Sequence, residues 1–412
     1  MLSETSFAFR KSARPAYSRP KAFAALTVSA AIVALTAGCA STPTEPSDTE
    51  PVIIPALLSI SGGASFLGSG EKAALEALQD SVNADGGING RDLEFEFLDD
   101  QTTPAVAAQL ARGLVDEGVP AFLGPSLAST CGAVAPLIQA SGPVSYCASP
   151  SVRPAAGSFQ FSSSVGSYDQ FDSMLNYFES EGWSRIAYIA ASDATGQDGR
   201  EQLPRSIDES DGDFEVVASE SYETSDTALS AQATRIAAAD PDVVIAWNSD
   251  ASFGTVLSSL KQAGVTVPVI TSMANMNLDL MESYAPNMPE RLLFSTSEWP
   301  NYMLDETGPS ADLRKEWVDI LATKDLTPNA TYSLAWDSAL LLIDALRNGA
   351  TTAAEIQDHI NGLTDFAGIL GTYDFSNDDQ RGITVDNVIV AEWDKELGAW
   401  PPVSGPAGRS LD

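Results

Sequence analysis

The stretch NADGGINGRDLEFEFLDDQTTPAVAAQLARGLVDEGVPAFLGP, Asn83–Pro125, decides the fold. Its glycines at 86–90 end a preceding helix. RDLEFEFLDD, residues 91–100, then alternates apolar and charged side chains, the period of a strand with one face buried. Val106, Leu110 and Leu114 recur at helical spacing, and VPAFLG is a short buried strand. A strand, a helix and a second strand thus follow one another within about 35 residues.

The same rhythm extends in both directions. Upstream, VIIPALLSI (Val52–Ile60) reads as a strand. A glycine-rich turn, SGGASFLGSG, leads from it into a helix with Leu75, Leu78 and Val82 on one face. Downstream, CGAVAPLIQASG is a helix closed by glycine and PVSYCASP a strand. The pattern restarts with a helix marked by Phe171, Met174, Leu175 and Phe178. Strands RIAYIAAS, FEVVAS, DVVIAW and VPVITS follow, separated by helices. Such alternation predicts parallel sheets with helices on both faces. From about Asn301 helices dominate, through LRKEWVDILA and SLAWDSALLLIDALRNG. Two late strands are expected near GILGTYDF and DNVIVAEWD. This segment is too helical for a third α/β domain and should return to pack on the first. Some 360 residues after position 50 are more than one core usually serves, so two domains are expected.

The N-terminus has another character. Arg10, Lys11, Arg14, Arg19 and Lys21 precede an apolar run, Ala22–Ala37, which has secretory length and is short for a membrane span. It ends in LTAG before Cys39, which resembles a bacterial lipobox. The resemblance implies removal of residues 1–38 and lipidation of Cys39; the alternative is an ordinary signal peptide cut near Ala40. Residues 40–50, ASTPTEPSDTE, have no apolar face and read as a tether with a reach of about 36–40 Å. Residues 1–38 carry five of the 22 basic and one of the 56 acidic residues. The remaining chain has 17 against 55, a net charge of −38. Such a surface repels nucleic acid and anionic headgroups.

Beyond Cys39 the only cysteines are Cys131 and Cys147. In an exported chain such a pair reads as a disulfide in preference to a metal site or a nucleophile. One histidine, His359, and two thiols do not make a usual zinc site, and no Ser–His–Asp arrangement is evident. GASFLGSGEKA departs from a phosphate loop, because its Lys is displaced and no Ser or Thr follows. Ser69 and Lys72 form S-x-x-K without the companion motifs of penicillin-recognising enzymes. Asp99 and Asp100 read as a strand exit. The residues therefore point to no enzyme, no metal and no cofactor.

Several segments resemble, in order, the solute-binding proteins of ABC importers of the leucine/isoleucine/valine-binding type. They are the N-x-x-GGI-x-G turn, the D-D-x-x-x-P strand exit and the G-P loop of Asn83–Pro125, then VAPLIQASGPVSYCASPS, ASDATGQDG and LKQAGVTVPVITS. The resemblance covers roughly residues 52–398. It implies an α/β fold of two doubly wound, Rossmann-like lobes joined by three hinge crossovers, the type I periplasmic binding protein fold. The N-lobe would be residues 51–167 plus 300–372 and the C-lobe 168–299 plus 373–400, with 401–412 as a tail. It further implies a monomeric receptor, lipid-anchored on the outer face of the cytoplasmic membrane or the periplasmic side of an envelope membrane. Such a receptor delivers a small amino acid or related carboxylate to permease subunits. A sensor of the same fold, presenting ligand to a signalling partner, is the alternative.

In open α/β sheets ligands bind beyond the carboxyl ends of the strands. The turns there place Phe66, Leu67, Leu127, Ala128, Ser129, Ser149, Ser151, Arg153, Thr195, Ser249, Asp250 and Met273 as candidate ligand residues. GPSLAST runs straight into a helix, where Ser129 and Thr130 can cap and free N–H groups can attract a carboxylate. Relative to the family pattern, Ala128 stands at a serine position, Arg153 at a threonine, Thr195 at an aromatic residue and Met273 near an acidic one. Arg153 can pair bidentately with a carboxylate or sit solvated on the rim. Ser249 and Asp250 lie where the resemblance implies ligand contact, and Asp250 can receive an ammonium group. These departures move the expected ligand from branched-chain amino acids to a small polar or carboxylate-bearing solute. A Cys131–Cys147 disulfide would pin the N-lobe half of the site.

Overall fold

The computed structural model describes residues 50–376 and 380–411. Cys39 and most of the expected tether lie outside the described residues. One sheet is built from β1 (Val52–Leu58), β2 (Leu93–Asp99), β3 (Ala121–Leu123), β4 (Val144–Cys147) and β5 (Gln160–Ser162), all parallel, in the order β2-β1-β3-β4-β5. The other holds β6 (Arg185–Ala191), β7 (Glu215–Tyr222), β8 (Val243–Trp247), β9 (Val269–Ser272) and β10 (Leu292–Ser297), in the order β7-β6-β8-β9-β10. The two windings are therefore the same. Each chain reversal falls beside the first strand of its sheet, between β1 and β3 and between β6 and β8.

The strands form because their side chains divide between two apolar layers. In β1, Leu57 packs on one face with Ala107, Ala111, Leu114, Phe122 and Val134, whereas Ile54, Ala56 and Leu58 join the core on the other. In β6, Ile186, Tyr188 and Ala190 face one layer and Ala187, Ile189 and Ala191 the other. This is the two-residue period of a strand covered on both sides. The covering helices of the first sheet include α1 (Ser65–Ala84), α2 (Pro104–Glu117) and α3 (Ala128–Ile138). Those of the second include α4 (Ser167–Glu181), α5 (Ala194–Glu209), α6 (Ser230–Ala238) and α7 (Phe253–Gln262), with α8 (Leu278–Tyr284) before β10. The glycine turn after α1 is required sterically: Gly87 has φ +71°, and a Cβ there would lie 2.0 Å from the Arg91 carbonyl oxygen.

After β10 the chain returns through α9 (Pro309–Ala322), α10 (Ala330–Ser333), α11 (Trp336–Arg347) and α12 (Ala353–Asn361). This segment packs on the first sheet's helices, as its helical character predicts. Asn89 donates to the Leu346 carbonyl, Arg347 to that of Gly87, and Lys324 pairs with Asp80. GILGTYDF is not the expected full strand. It supplies only β12 (Thr372–Tyr373), laddered with β11 (Phe366–Ala367) just before it, because the intervening N–H groups of Ile369 and Leu370 bond the Asp337 carboxyl at 2.9 Å each. β13 (Val388–Glu392) then joins β10 antiparallel as the sheet's edge. Residues 402–408 lie against it: Ser404 Oγ accepts the Val390 N–H, and Asn176 of α4 donates to the Ala407 carbonyl.

The chain thus passes between the sheets three times, after β5, after β10 and after β12. Buried polar groups join these passages. Tyr373 Oη lies 2.8 Å from the Ser163 carbonyl and 3.0 Å from Asp337 Oδ2. Arg381 donates to Ser162 Oγ at 3.2 Å and to the carbonyls of Ser164 and Val152. Arg314, 3% exposed, pairs with Glu298 and Glu306 at 3.2 and 2.7 Å and reaches the Ile369 carbonyl. Beside them the indoles of Trp299, Trp317, Trp336 and Trp400 pack edge to face.

Two outcomes follow from this junction. Tyr373→Phe removes the hydroxyl shared by Ser163 and Asp337 and should cost about 1–3 kcal/mol in urea unfolding. Burial raises the Asp337 carboxyl from 3.8 to about 6, against hydrogen bonds that lower it. The folded state therefore keeps a proton that the unfolded chain loses, and this contribution is full below the lower value and lost towards the upper one. The stability of the wild-type protein relative to Asp337→Asn should fall by roughly 3 kcal/mol as pH rises from about 4 to about 6. A constant difference would contradict the assignment.

Candidate functional site

The two positions where the winding reverses are where an open sheet leaves a crevice. In the first lobe the crevice is bounded by the turn after β1 and the loop Gly124–Leu127 after β3. Gly124 has φ +86°, and a Cβ there would sit 2.0 Å from the Leu57 carbonyl oxygen, so the loop turns tightly over β1. The loop delivers Leu127 to the N-cap of α3, and Thr130 folds back on it. The Thr130 hydroxyl accepts the Leu127 N–H at 3.3 Å and donates to the Leu127 carbonyl at 3.1 Å. Thr130 is thus the residue that closes this turn, while Ser129 remains exposed and Ala128 is 8% exposed. The first N–H groups of α3 have no intrahelical acceptor, which makes this end of the crevice attractive to an anion. Phe66 and Leu67, half-buried and buried, form the start of α1 beside it.

Cys131, in the first turn of α3, is bonded to Cys147 at the end of β4, with Sγ atoms 2.04 Å apart. The pair fastens the helix that follows one crevice loop to the strand that precedes the next. In that second loop Ser149 is buried and its hydroxyl accepts the Ser151 N–H at 3.3 Å. Arg153 is paired within the protein: its guanidinium, 48% exposed, lies 3.2 Å from Asp198 of α5. Asp198 also accepts the Ser167 hydroxyl, and burial raises its carboxyl despite that bond and Arg153. The contact joins the two sheets' loops across the crevice.

In the second lobe Thr195, in the first turn of α5 after β6, and Ser249, in the loop after β8, meet across the winding reversal with their hydroxyls 3.1 Å apart. Asp193 caps α5 by accepting the Gly196 N–H at 2.9 Å. Asp250 is held by its own turn, with Oδ1 accepting from the Ser252 N–H at 3.0 Å, the Ser252 hydroxyl and Asn248 Nδ2. Met273 is fully buried in the apolar core. Its neighbour Asn275 donates to Thr271 and to both oxygens of Asn248 at 2.9–3.2 Å. The structure therefore brings Thr195, Ser249 and Asp250 to one mouth and Leu127, Ala128 and Ser129 to the other. Arg153 lies between them, and Met273 is set back inside.

Sequence reasoning did not single out Ser126 and Glu71. Ser126 Oγ accepts the Ser59 N–H at 3.1 Å and donates to the carboxyl of Glu71, which is fully buried in α1. The signal was available: Glu71 falls on the apolar stripe of Leu67, Ala74, Leu75 and Leu78, where a charged residue is out of place. A cavity of about 850 Å³, lined by Met281, Met288, Leu292 and Trp393, lies at the opposite end of the second sheet, where β10 begins and β13 ends. It is remote from the crevice. Among the described residues no helix is long and apolar enough to cross a membrane.

The comparisons agree with this geometry. A periplasmic binding protein structure from Bordetella pertussis Tohama I is 22% identical and superposes with a TM-score of 0.74, over 86% of this chain and 99% of that one. The branched-chain amino acid transporter substrate-binding protein of Streptococcus pneumoniae, solved with isoleucine, is 19% identical with a TM-score of 0.71, over 86% and 99%. An ABC transporter solute-binding protein of Rhodopseudomonas palustris, solved with benzoate, is 17% identical with a TM-score of 0.72, over 88% and 97%. A search of curated proteins gives no match. The family model described as periplasmic binding protein matches residues 51–398. With both sheets and their crossovers inside that span, the chain belongs to the periplasmic binding protein family, whose members are solute-binding receptors and not enzymes.

Proposed function

We propose that this chain is the extracytoplasmic receptor of an ABC importer, taking up a small amino acid or related carboxylate between its lobes. The observation that carries the reading is the pairing of two unlike mouths. The start of α3 offers backbone N–H groups to a carboxylate, and the facing Thr195–Ser249 pair and Asp250 offer hydroxyls and a negative charge. A solute bridging both favours the closed arrangement of the lobes, and this differential affinity drives closure. The lobes are taken as residues 51–167 plus 300–372 and 168–299 plus 373–400. Lipidated Cys39 and the tether would keep the receptor beside its permease. The isoleucine and benzoate complexes of the two relatives support a carboxylate as the common element.

A thermal-shift screen of amino acids, aromatic acids, amides and short carboxylates tests this. A true ligand at about 100 times its Kd stabilises the folded protein by about 2.7 kcal/mol, a shift of several degrees. A library without one stabilising carboxylate or amino acid would end the reading. For a carboxylate hit, calorimetry on Arg153→Ala should show affinity weakened about tenfold or more, the loss of one charge-assisted contact. Unchanged affinity removes Arg153 from the site and leaves it as a bridge to Asp198.

A further inference from the structure

Beneath the first-lobe mouth lies a buried cluster that the solute reading does not use. It joins three strand ends and one helix: Ser59 after β1, Asp100 after β2, Ser126 after β3 and Glu71 of α1. Ser59 Oγ donates to Asp100 Oδ1 at 2.7 Å, and the Ser59 N–H donates to Ser126 Oγ at 3.1 Å. Ser126 Oγ in turn donates to Glu71 Oε2. Glu71 and Asp100 are both fully buried, and Glu71 Oε1 and Asp100 Oδ2 have no hydrogen-bond partner. Two carboxyl groups, each half satisfied, thus share one dry site.

We propose that Glu71 is a positioning residue for the ligand-bearing loop: through Ser126 its carboxyl holds Gly124–Ala128 in place, and the closed loop, which buries that carboxyl, is most stable while Glu71 carries a proton. The proposal rests on the reading of that loop as part of the solute site. The start of the loop is tied to β4 and the turn after it: the Gly124 N–H donates to the Tyr146 carbonyl and the Gly124 carbonyl accepts the Ser145 hydroxyl, both at 2.8 Å, and the Pro125 carbonyl accepts the Ala148 N–H at 3.0 Å. Ser126 is the buried hydroxyl at its centre, and its Oγ bonds are to Ser59 and Glu71. Among the described residues Asp100 is the charged group facing Glu71. The elements packed there otherwise present Ser59, Ser126 and, beside Gly70, Thr331 of α10. No cation is supplied to the cluster, so ionising Glu71 adds a second negative charge beside Asp100 in a site that excludes water. Burial accordingly raises Glu71 to about 7, against the Ser126 bond, with Asp100 adding to the rise. Opening the loop lets water reach Glu71 and restores the proton affinity of an ordinary glutamate. Opening therefore becomes easier as pH rises from about 4.5 to about 7 and levels off above that.

Hydrogen exchange of the unliganded protein, read on peptides covering residues 124–131 and corrected for intrinsic rates, tests the proposal. In the wild type the corrected exchange should rise about tenfold or more from pH 5 to pH 7, as a shift of two or more pKa units requires. In Glu71→Gln, which keeps the shape and an acceptor for Ser126, it should stay within about twofold over the same range. In Ser126→Ala the loop should exchange faster at pH 5 and keep its rise towards pH 7, because the loop still covers Glu71 and the lost bond is one that favours the ionised carboxyl. The same pH response in Glu71→Gln, unchanged exchange at pH 5 in Ser126→Ala, or no pH response in the wild type would each overturn the proposal. No ligand is needed, so failure here leaves the solute reading standing. A screen without hits would leave this result standing in turn.

Discussion

The arrangement of the whole molecule depends on how the three passages between its sheets are fastened to one another. Arg314 and Asp337 are charged or chargeable groups with almost no exposure, and Arg381 is 6% exposed. Such groups persist in a dry interior only where their bonds are met. Here they are met from different passages: Asp337 holds the backbone of Ile369 and Leu370 and reaches Tyr373, Tyr373 reaches Ser163, and Arg381 reaches Ser162, Ser164 and Val152. Moving one passage alone would leave a buried donor or acceptor without a partner. The passages are therefore constrained to move as a set, and the edge-packed indoles beside them give the axis an apolar wall.

A fixed axis makes the loops at the strand ends the parts whose position matters. The two windings are identical, so each lobe presents the same crevice, but the crevices are finished differently. The first is braced covalently by Cys131–Cys147 and from below by Ser59, Ser126 and Glu71. The second is finished by short turns in which Asp193 caps α5 and Asp250 accepts the Ser252 N–H within its own turn. Arg153, 48% exposed, and Asp198, 13% exposed, bridge the two. Their importance lies in geometry: the guanidinium is held at the crevice by Asp198 and is shared between that carboxyl and any solute it contacts.

Much of this was legible in the sequence, for identifiable reasons. Strands such as β2 and β6 and helices such as α1 and α4 show their periods because one face of each differs from the other. β10 escaped notice because Leu292–Ser297 is buried on both faces, serines and threonine included, so LLFSTS shows no alternation. β5 is three residues long and offers too little pattern to detect. GILGTYDF has the composition of a strand but surrenders its N–H groups to Asp337, a partner 32 residues away that no local reading could supply. At the site, the family resemblance singles out Thr195 and Ser249, and topology agrees, since both follow strands that flank the winding reversal. Met273, after β9 and near a family acidic position, has its side chain in the apolar core. Arg153 was judged by its own charge, while its actual partner lies 45 residues away on another lobe.

Charge gives the clearest reason why the first-lobe mouth is built as it is. A chain with 56 acidic and 22 basic residues repels anions at long range, although salt screens that repulsion beyond about 8–10 Å. On the proposed reading, an anionic solute can be held only where positive potential is local and unspent. Arg381 and Arg314 are spent on the crossovers, and Arg153 is shared with Asp198. The other local attractor at the mouth is the start of α3, a partial charge of about half a unit whose reach is short. A weak attractor of that kind tolerates little opposing charge nearby. An acid directly beneath it opposes anion binding least while it is neutral. Burial and the neighbouring Asp100 raise Glu71 to about 7 and so favour its neutral form below that pH.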